Sequence, residues 1–138
     1  MSYLKFKKQF NPHYKGNTEI LINNCLALHL GHSTLDKSEW RRLYESLGLG
    51  ERMAQQFAKI GSNELLTNKK YFETLPSSWG AVYQLTKFIP SKLKTILDRK
   101  EVNKSTTRKD IDIKRRGVIS HLQTSKKKNT NKFLNYMF

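Results

Sequence analysis

Apolar residues recur along the middle of the chain at the spacing of amphipathic helices. The clearest stripe lies within residues 36–47 and consists of Trp40, Leu43, Tyr44 and Leu47. Their positions i, i+3, i+4 and i+7 occupy one face of an α-helix. No segment shows the sustained alternation of apolar and polar residues that is typical of a half-buried strand. The sequence therefore predicts an all-α fold.

Capping residues and helix breakers set the bounds of the predicted helices. Asn17 and Asp36 are suited to accept hydrogen bonds from free amides at helix starts, and Glu39 follows Asp36 at capping-box spacing. Thr106 or Thr107 can cap the last helix. The predicted helices cover residues 18–30, 36–47 and 51–60, a segment from the Leu75–Ser78 loop to about Phe88, a short helix after Pro90, and a last helix in which Ile111, Val118 and Leu122 share one face.

Positive charge is concentrated at both ends of the chain. The net charge is +15 over 138 residues, of which residues 1–16 contribute +4 and residues 101–138 contribute +7. Such an excess points to a polyanionic partner. Basic arms commonly bind the phosphate backbone of nucleic acids. The alternative interpretation is that these arms only increase solubility. The predicted organisation is a basic N-terminal arm over 1–16, a small helical domain over 17–122, and a lysine-rich tail over 123–138 with an apolar tip.

Two of the predicted helices have the spacing of a helix-turn-helix. Helix 36–47 is followed by Gly48, Leu49 and Gly50 and then by helix 51–60. The second helix carries Arg52, Gln55, Gln56 and Lys59 opposite an apolar seam. Arginine can pair with guanine and glutamine with adenine in a major groove, which admits an α-helix. An ordinary amphipathic helix with a solvated polar face is the competing interpretation. The net charge favours DNA contact.

Three sequence runs carry a resemblance to a known group of proteins. They are WRRLYESLGLGERMAQQFAKI from Trp40, LPSSWGAVYQLTKF from Leu75 and TRKDI from Thr107. Together they resemble a helical domain of phage and plasmid proteins, in which a helix-turn-helix-like segment precedes an LPSSWxxLYxLT element and an R-K-D helix. This sequence departs from that element at Val82 and Gln84. The resemblance covers about residues 18–118 and implies a DNA-binding module of mobile elements, used alone or attached to other domains such as nucleases.

The resemblance also implies roles for individual residues. By this resemblance, six residues support the fold rather than contact DNA: Trp40, Ala54, Pro76, Trp79, Tyr83 and Leu85. For Trp79, stacking on an exposed base is the alternative. The full set of candidate DNA-binding residues is Arg41, Arg42, Arg52, Gln55, Gln56, Lys59, Lys69, Lys70, Ser77, Ser78, Arg108, Lys109, Arg115 and Arg116. The two serines can donate to a phosphate at a helix start, and helix capping explains them equally well.

Catalytic chemistry is not indicated by the sequence. Cys25, His29 and His32 have the spacing C-x3-H-x2-H but lack a fourth ligand nearby, so we expect no metal site. The Gly48–Arg52 run matches neither nucleotide-binding fingerprint, and the acidic residues are too scattered for a two-metal nuclease. A single cysteine cannot form an intramolecular disulfide. We expect no enzyme activity and no cofactor.

Location and function follow from these patterns as expectations. There is no secretory signal and no apolar run of membrane-spanning length, which predicts a soluble protein of the bacterial cytoplasm, associated with the nucleoid. We expect a sequence-specific double-stranded DNA-binding protein of a phage or related mobile element, acting as a transcriptional repressor, with a role in replication or partition as an alternative. The alternatives are binding of RNA or single-stranded DNA, and inhibition of an acidic host target. The apolar tip, Phe133 to Phe138, either docks on its own domain or joins two subunits in a homodimer.

Overall fold

In the described part of the chain the protein is a bundle of seven α-helices, which confirms the predicted all-α class. The structure is a computed structural model that describes residues 2–124, with side chains described up to residue 116. The helices are α1 (Leu4–Gln9), α2 (Thr18–Thr34), α3 (Lys37–Ser46), α4 (Glu51–Gly61), α5 (Trp79–Leu85), α6 (Pro90–Asp98) and α7 (Arg108–Thr124), with one 3-10 turn at Lys69–Tyr71. No strand occurs within residues 2–124.

The centre of the bundle is α2, which other helices enclose. Leu21, Cys25 and Leu28 form one fully buried stripe of this helix, and Ile22 and Ala27 on other faces are buried as well. A helix that is apolar on several faces belongs inside a protein. The main partner of α2 is α4, and α1 and α3 also pack against it. This packing leaves the opposite face of α4 open to solvent.

Local hydrogen bonds confirm the predicted helix starts. The side chain of Asn17 accepts from the amide of Ile20 at 3.0 Å, and that of Asp36 accepts from Glu39 at 2.8 Å. At the last helix, Thr107 and Asp110 bond each other's amides reciprocally, which forms a capping box. The structure therefore selects Thr107 rather than Thr106 as the cap of α7.

The turn between α3 and α4 also forms as predicted. Gly48 adopts the left-handed conformation, with φ of 75°. The amide of Gly48 donates to the carbonyl of Glu45 at 3.1 Å, and the amide of Leu49 donates to that of Tyr44 at 2.9 Å. These two bonds make a Schellman motif, which satisfies the last carbonyls of α3. Gly50 then precedes α4 as its N-cap residue.

The N-terminal segment contains a helix that the sequence analysis did not predict. Phe6 on α1 is buried in the core, and the amide of Tyr3 donates to Oε1 of Glu39 at 3.1 Å. Residues 4–9 carry three lysines and bury one side chain, so no apolar period marks them. Within the predicted arm, Lys5, Lys7 and Lys8 are thus exposed side chains of a packed helix.

Two helices, α2 and α5, end several residues away from their predicted ends. The central helix continues four residues beyond residue 30, to Thr34, and Gly31 within this extension is buried. By contrast, α5 ends at Leu85 rather than near Phe88. After it, the amides of Lys87 and Phe88 donate to carbonyls three residues earlier, so the chain continues as tight turns before Pro90.

Some predicted features fall on a part of the chain that the structure does not describe. The tail lysines, the apolar tip from Phe133 to Phe138, and the side chains of Val118 and Leu122 lie outside the described residues. Among the helices of residues 2–124, none combines the length and apolarity that crossing a bilayer requires.

Candidate nucleic-acid interface

The polar face of α4 borders a shallow groove. This α4 groove has a volume of about 290 Å³ and is lined by Arg52, Gln55, Gln56, Lys59 and Tyr83. All four predicted α4 residues therefore lie together, beside a tyrosine of α5. Three of them are exposed and Gln56 is half-buried, whereas Ala54, Phe57 and Ile60 on the other face are buried. This division leaves the side chains best suited to base contact accessible to a ligand.

A second groove lies between α5 and α7. This α5–α7 groove has a volume of about 440 Å³ and is lined by Gln84, Lys87, Arg108, Lys109 and Asp112. The Lys87 ammonium lies 5.5 Å from the ring centroid of Tyr83, which lines the α4 groove. A cation at this distance from a tyrosine face is attracted to the ring. The Tyr83–Lys87 pair thereby connects the two grooves.

One side chain of the α5–α7 groove has an unusual environment. Gln84 is only 3% exposed, and its Oε1 atom accepts no hydrogen bond from any described residue. Most buried polar atoms have a partner, since leaving one unpaired costs about 1–3 kcal/mol. A ligand donor that enters the groove could satisfy this acceptor.

A third depression, the aromatic cleft, adjoins the second groove. It has a volume of about 450 Å³, and Arg108 is common to both. Its lining comprises the rings of Tyr14 and Trp79, the cations Lys15 and Arg108, Ser77 and Ser78, and the glycines Gly16 and Gly80. Both aromatic residues are half-buried. Burial, together with the nearby Cys25 thiol, raises the pKa of Tyr14.

Together the three depressions form one basic surface. We call it the basic band and define it by the cations that line it: Lys15, Arg52, Lys59, Lys87, Arg108 and Lys109. Among the described lining residues, the only carboxylate is Asp112. Asp112 lies 3.0 Å from Arg115 and 3.2 Å from Arg116 in ion pairs, so the charge of those two predicted residues is partly compensated.

Other predicted residues lie apart from the three grooves. On α3, Arg41 pairs with Glu45 at 3.1 Å, and Arg42 lies 3.7 Å from Glu39. Lys69 and Lys70 are exposed on the 3-10 turn. The Lys70 ammonium lies 5.0 Å from the Tyr71 ring centroid. None of these four cations lines a groove with the polar face of α4.

The two predicted serines line the aromatic cleft but make local hydrogen bonds. The Ser78 hydroxyl accepts from the amide of Ala81 at 3.2 Å and so caps α5. The Ser77 hydroxyl donates to the carbonyl of Lys104 at 3.1 Å. The Lys104 ammonium in turn donates to Thr18 and to the carbonyl of Phe72, and burial lowers its pKa. These bonds hold the start of α5 beside the start of α2.

Sequence reasoning missed several residues that line the three grooves, among them Gln84, Lys87 and Lys15. Lys87 and Gln84 lie on α5 or just after it, and Lys15 was expected only as part of the N-terminal arm. A signal was present, because Tyr83 and Lys87 are four residues apart and share one side of a helical turn. Their position beside α4 and α7 is a tertiary relationship that spacing alone does not give.

The candidate metal ligands on α2 occupy different environments. Cys25 is fully buried, and burial raises the pKa of its thiol. The His32 ring packs edge-on against Trp40, with centroids 4.8 Å apart. Among the described residues, no group of three or more His, Cys, Asp or Glu side chains is placed to hold a metal ion.

The chain was also compared with known proteins. No family model matches it, and no curated protein and no solved structure is significantly similar to it.

Proposed function

We propose that this protein binds double-stranded DNA in a sequence-specific manner and acts as a transcriptional repressor of a phage or related mobile element. The observation that carries the proposal is the continuity of the α4 groove with the rest of the basic band. Side chains that suit base edges lie on α4, and cations that suit phosphates lie beside them on α5 and α7. Specific DNA-binding proteins combine these two kinds of contact.

The dimensions and chemistry of α4 suit a major groove. A helix is narrow enough to enter it, and each base pair presents a distinct pattern of donors and acceptors there. Arg52 and Gln55 are exposed on consecutive turns of α4, and Glu51 is the only acidic residue of that helix. We assign these two residues to base edges. Lys87, Arg108 and Lys109 are assigned to the phosphates that flank the groove.

Repression requires no chemistry from the protein. A protein that occupies its DNA site blocks other proteins from that site, so affinity and specificity suffice. We accordingly propose a non-enzymatic role without a cofactor, on the nucleoid of the bacterial host. The α3–α4 pair with its left-handed Gly48 is compatible with a helix-turn-helix.

A competition experiment tests the proposal. The full chain is incubated with a labelled duplex selected from a random pool, and unlabelled duplex DNA, single-stranded DNA or RNA competes at one fixed salt concentration. We expect the selected duplex to compete best and random duplex to compete less well. Better competition by RNA or single-stranded DNA would support the alternative nucleic-acid ligands. Absence of binding to all of them would favour an acidic protein target.

We further propose that the protein is a homodimer joined by the tip Phe133–Phe138. A two-fold dimer can present two copies of α4 about 34–36 Å apart, one turn of DNA. Sedimentation of the full chain and of a chain ending at Ser125 tests this. A dimer that becomes a folded monomer is the expected result. A monomer at micromolar concentration, with and without operator DNA, would assign the tip to its own domain.

A further inference from the structure

The aromatic cleft presents two rings above a third. The Tyr14 ring lies 5.7 Å from the ring of Phe57 in an edge-on arrangement, and the Trp79 ring lies 5.4 Å from it. Phe57 is fully buried, whereas Tyr14 and Trp79 are half-buried and line the cleft. Phe57 therefore supports both rings from the core, and each outer ring keeps part of its surface accessible.

Two cations complete the cleft. Lys15 and Arg108 line it together with the rings, and Arg108 is exposed. The side chain of Arg108 passes close to Gly80, since a Cβ atom at Gly80 would lie 3.6 Å from its Cδ. An aromatic surface bordered by cations is the arrangement that holds an unstacked nucleobase and its phosphate.

We propose that the aromatic cleft binds one unpaired nucleobase of a DNA strand. The base stacks on Trp79 and Tyr14, and its phosphates contact Arg108 and Lys15. The inference rests on the proposed function and deepens it, because it adds a site for distorted or locally opened DNA beside the duplex-binding surface. Arg108 belongs to both the aromatic cleft and the α5–α7 groove, so a strand that follows the basic band arrives at the cleft.

The chemistry of the cleft favours a base over other planar or apolar ligands. Its lining is mainly apolar, as stacking requires, yet its charged groups are both cations, which suits the flanking phosphates. The Ser77 and Ser78 hydroxyls, which also line the cleft, already make local hydrogen bonds. We therefore expect weak discrimination among bases, with purines preferred because they stack over a larger area.

The test uses two duplexes of equal length that contain the same selected site. One is fully paired, and the other carries a single bulged 2-aminopurine next to the site. We expect the full chain to bind the bulged duplex about 5- to 150-fold more tightly, the range given by stacking of one base. We also expect 2-aminopurine fluorescence to fall on binding. Equal affinity without a change in fluorescence would overturn the inference and leave the proposed function intact.

Two variants and one control test whether the bulged base binds in the aromatic cleft. Trp79→Leu keeps an apolar side chain against Phe57 and removes the stacking surface, while Arg108→Gln removes a cation without touching the rings. Each should reduce the preference for the bulged duplex at least threefold. Lys94→Gln is the matched control, because Lys94 lies on α6 outside the three grooves, and it should keep the full preference.

Two further outcomes complete the test. If Trp79→Leu does not fold, as judged by its helical circular dichroism, Arg108→Gln and the 2-aminopurine signal decide. An unchanged preference in Arg108→Gln together with an unchanged signal overturns the inference. Failure of the wild-type chain to bind either duplex overturns the proposed function and, with it, the inference.

Discussion

Gly61, the last residue of α4, packs directly against the backbone of Cys25 in the middle of α2. A Cβ atom at position 61 would overlap the carbonyl group of Cys25 and lie 2.9 Å from Cβ of His29. Only a residue without a side chain permits this approach. Contact between backbones fixes the separation of the two helices, and α4 presents its polar face from that fixed position.

Replacement of Gly61 by alanine should destabilise the fold. The new methyl group meets a rigid carbonyl rather than the end of a flexible side chain, so α4 must shift, at a cost of about 1–3 kcal/mol or more. Denaturant unfolding measures the change. Gly80→Ala is the matched control, because its methyl group makes an ordinary 3.6 Å contact with Arg108 and alanine favours a helix. Equal stabilities of the two variants would contradict the close approach.

Several helix bounds were predictable because bonds between neighbouring residues set them. The caps at Asn17 and Asp36 use amides three residues away, and Gly48 ends α3 through its own conformation. Such relationships are visible in a short window of sequence. The burial of Phe6 is different, because it depends on α2 and α3, and the six residues of α1 show no period. Only the tertiary structure shows that this basic segment contributes to the core.

The candidate site likewise contains residues that the sequence predicts and residues that only the tertiary structure brings together. The grouping of Arg52, Gln55 and Lys59 followed from helical spacing and matches the α4 groove. Lys87 lies near the α4 groove because α5 packs beside α4, and the spacing of residues along the chain does not specify that packing. Only the structure shows that Arg41 lies apart from the α4 groove. Its ion-pair partner Glu45, four residues later on the same helix, could be identified from the sequence.

Substitutions on α4 should lower affinity for the selected site alone. Arg52→Ala and Gln55→Ala each remove a contact to a base edge that contributes about 1–3 kcal/mol, while binding to random duplex should change little. Fluorescence anisotropy with both DNAs at one salt concentration measures the difference. Arg41→Ala serves as a comparison, because its guanidinium pairs with Glu45 on α3. Equal losses on both DNAs would reassign Arg52 and Gln55 to the phosphate backbone.

Lysines of the basic band should set the salt dependence of binding. Lys87→Gln and Lys109→Gln should each reduce the slope of log affinity against log salt concentration by about 0.9 for every phosphate that the lysine neutralises. The N-terminal lysines are tested by changing Lys7 and Lys8 to glutamine. Deletion of the segment is less informative, because it would also remove Phe6 from the core. Slopes that stay at the wild-type value in all of these variants would exclude phosphate contacts by these residues.

Replacement of Gln84 by an apolar residue should stabilise the fold and weaken DNA binding. Gln84→Leu removes a buried acceptor that lacks a partner among the described residues, so the free energy of unfolding should rise by up to about 1–3 kcal/mol. If a DNA donor satisfies Oε1 in the complex, the same variant should bind the selected duplex more weakly. Thermal unfolding and anisotropy of one preparation give both values. A variant with lower stability would indicate that Gln84 is already satisfied in the free protein.

Acid should weaken the fold through carboxylates that are hydrogen-bonded in the native state. Lys94 and the Tyr71 hydroxyl each donate to Asp98 at 2.6 Å and lower its pKa. Lys114 donates to Glu101 at 2.8 Å and lowers the pKa of that carboxyl. A pKa that is lower in the folded state contributes stability above the unfolded value, about 4 for these carboxyls, and this contribution is lost as pH falls further.

The substitution Asp98→Asn isolates one of these contributions. The variant should be less stable than the wild type at about pH 7, and the difference should shrink as the pH falls below about 4, where the wild-type carboxylate takes up its proton. Urea unfolding at a series of pH values measures both effects. Glu64→Gln is a suitable control, because Glu64 is exposed and forms none of the described ion pairs. A stability difference for Asp98→Asn that stays constant with pH would show that the carboxylate is not stabilised by its two donors.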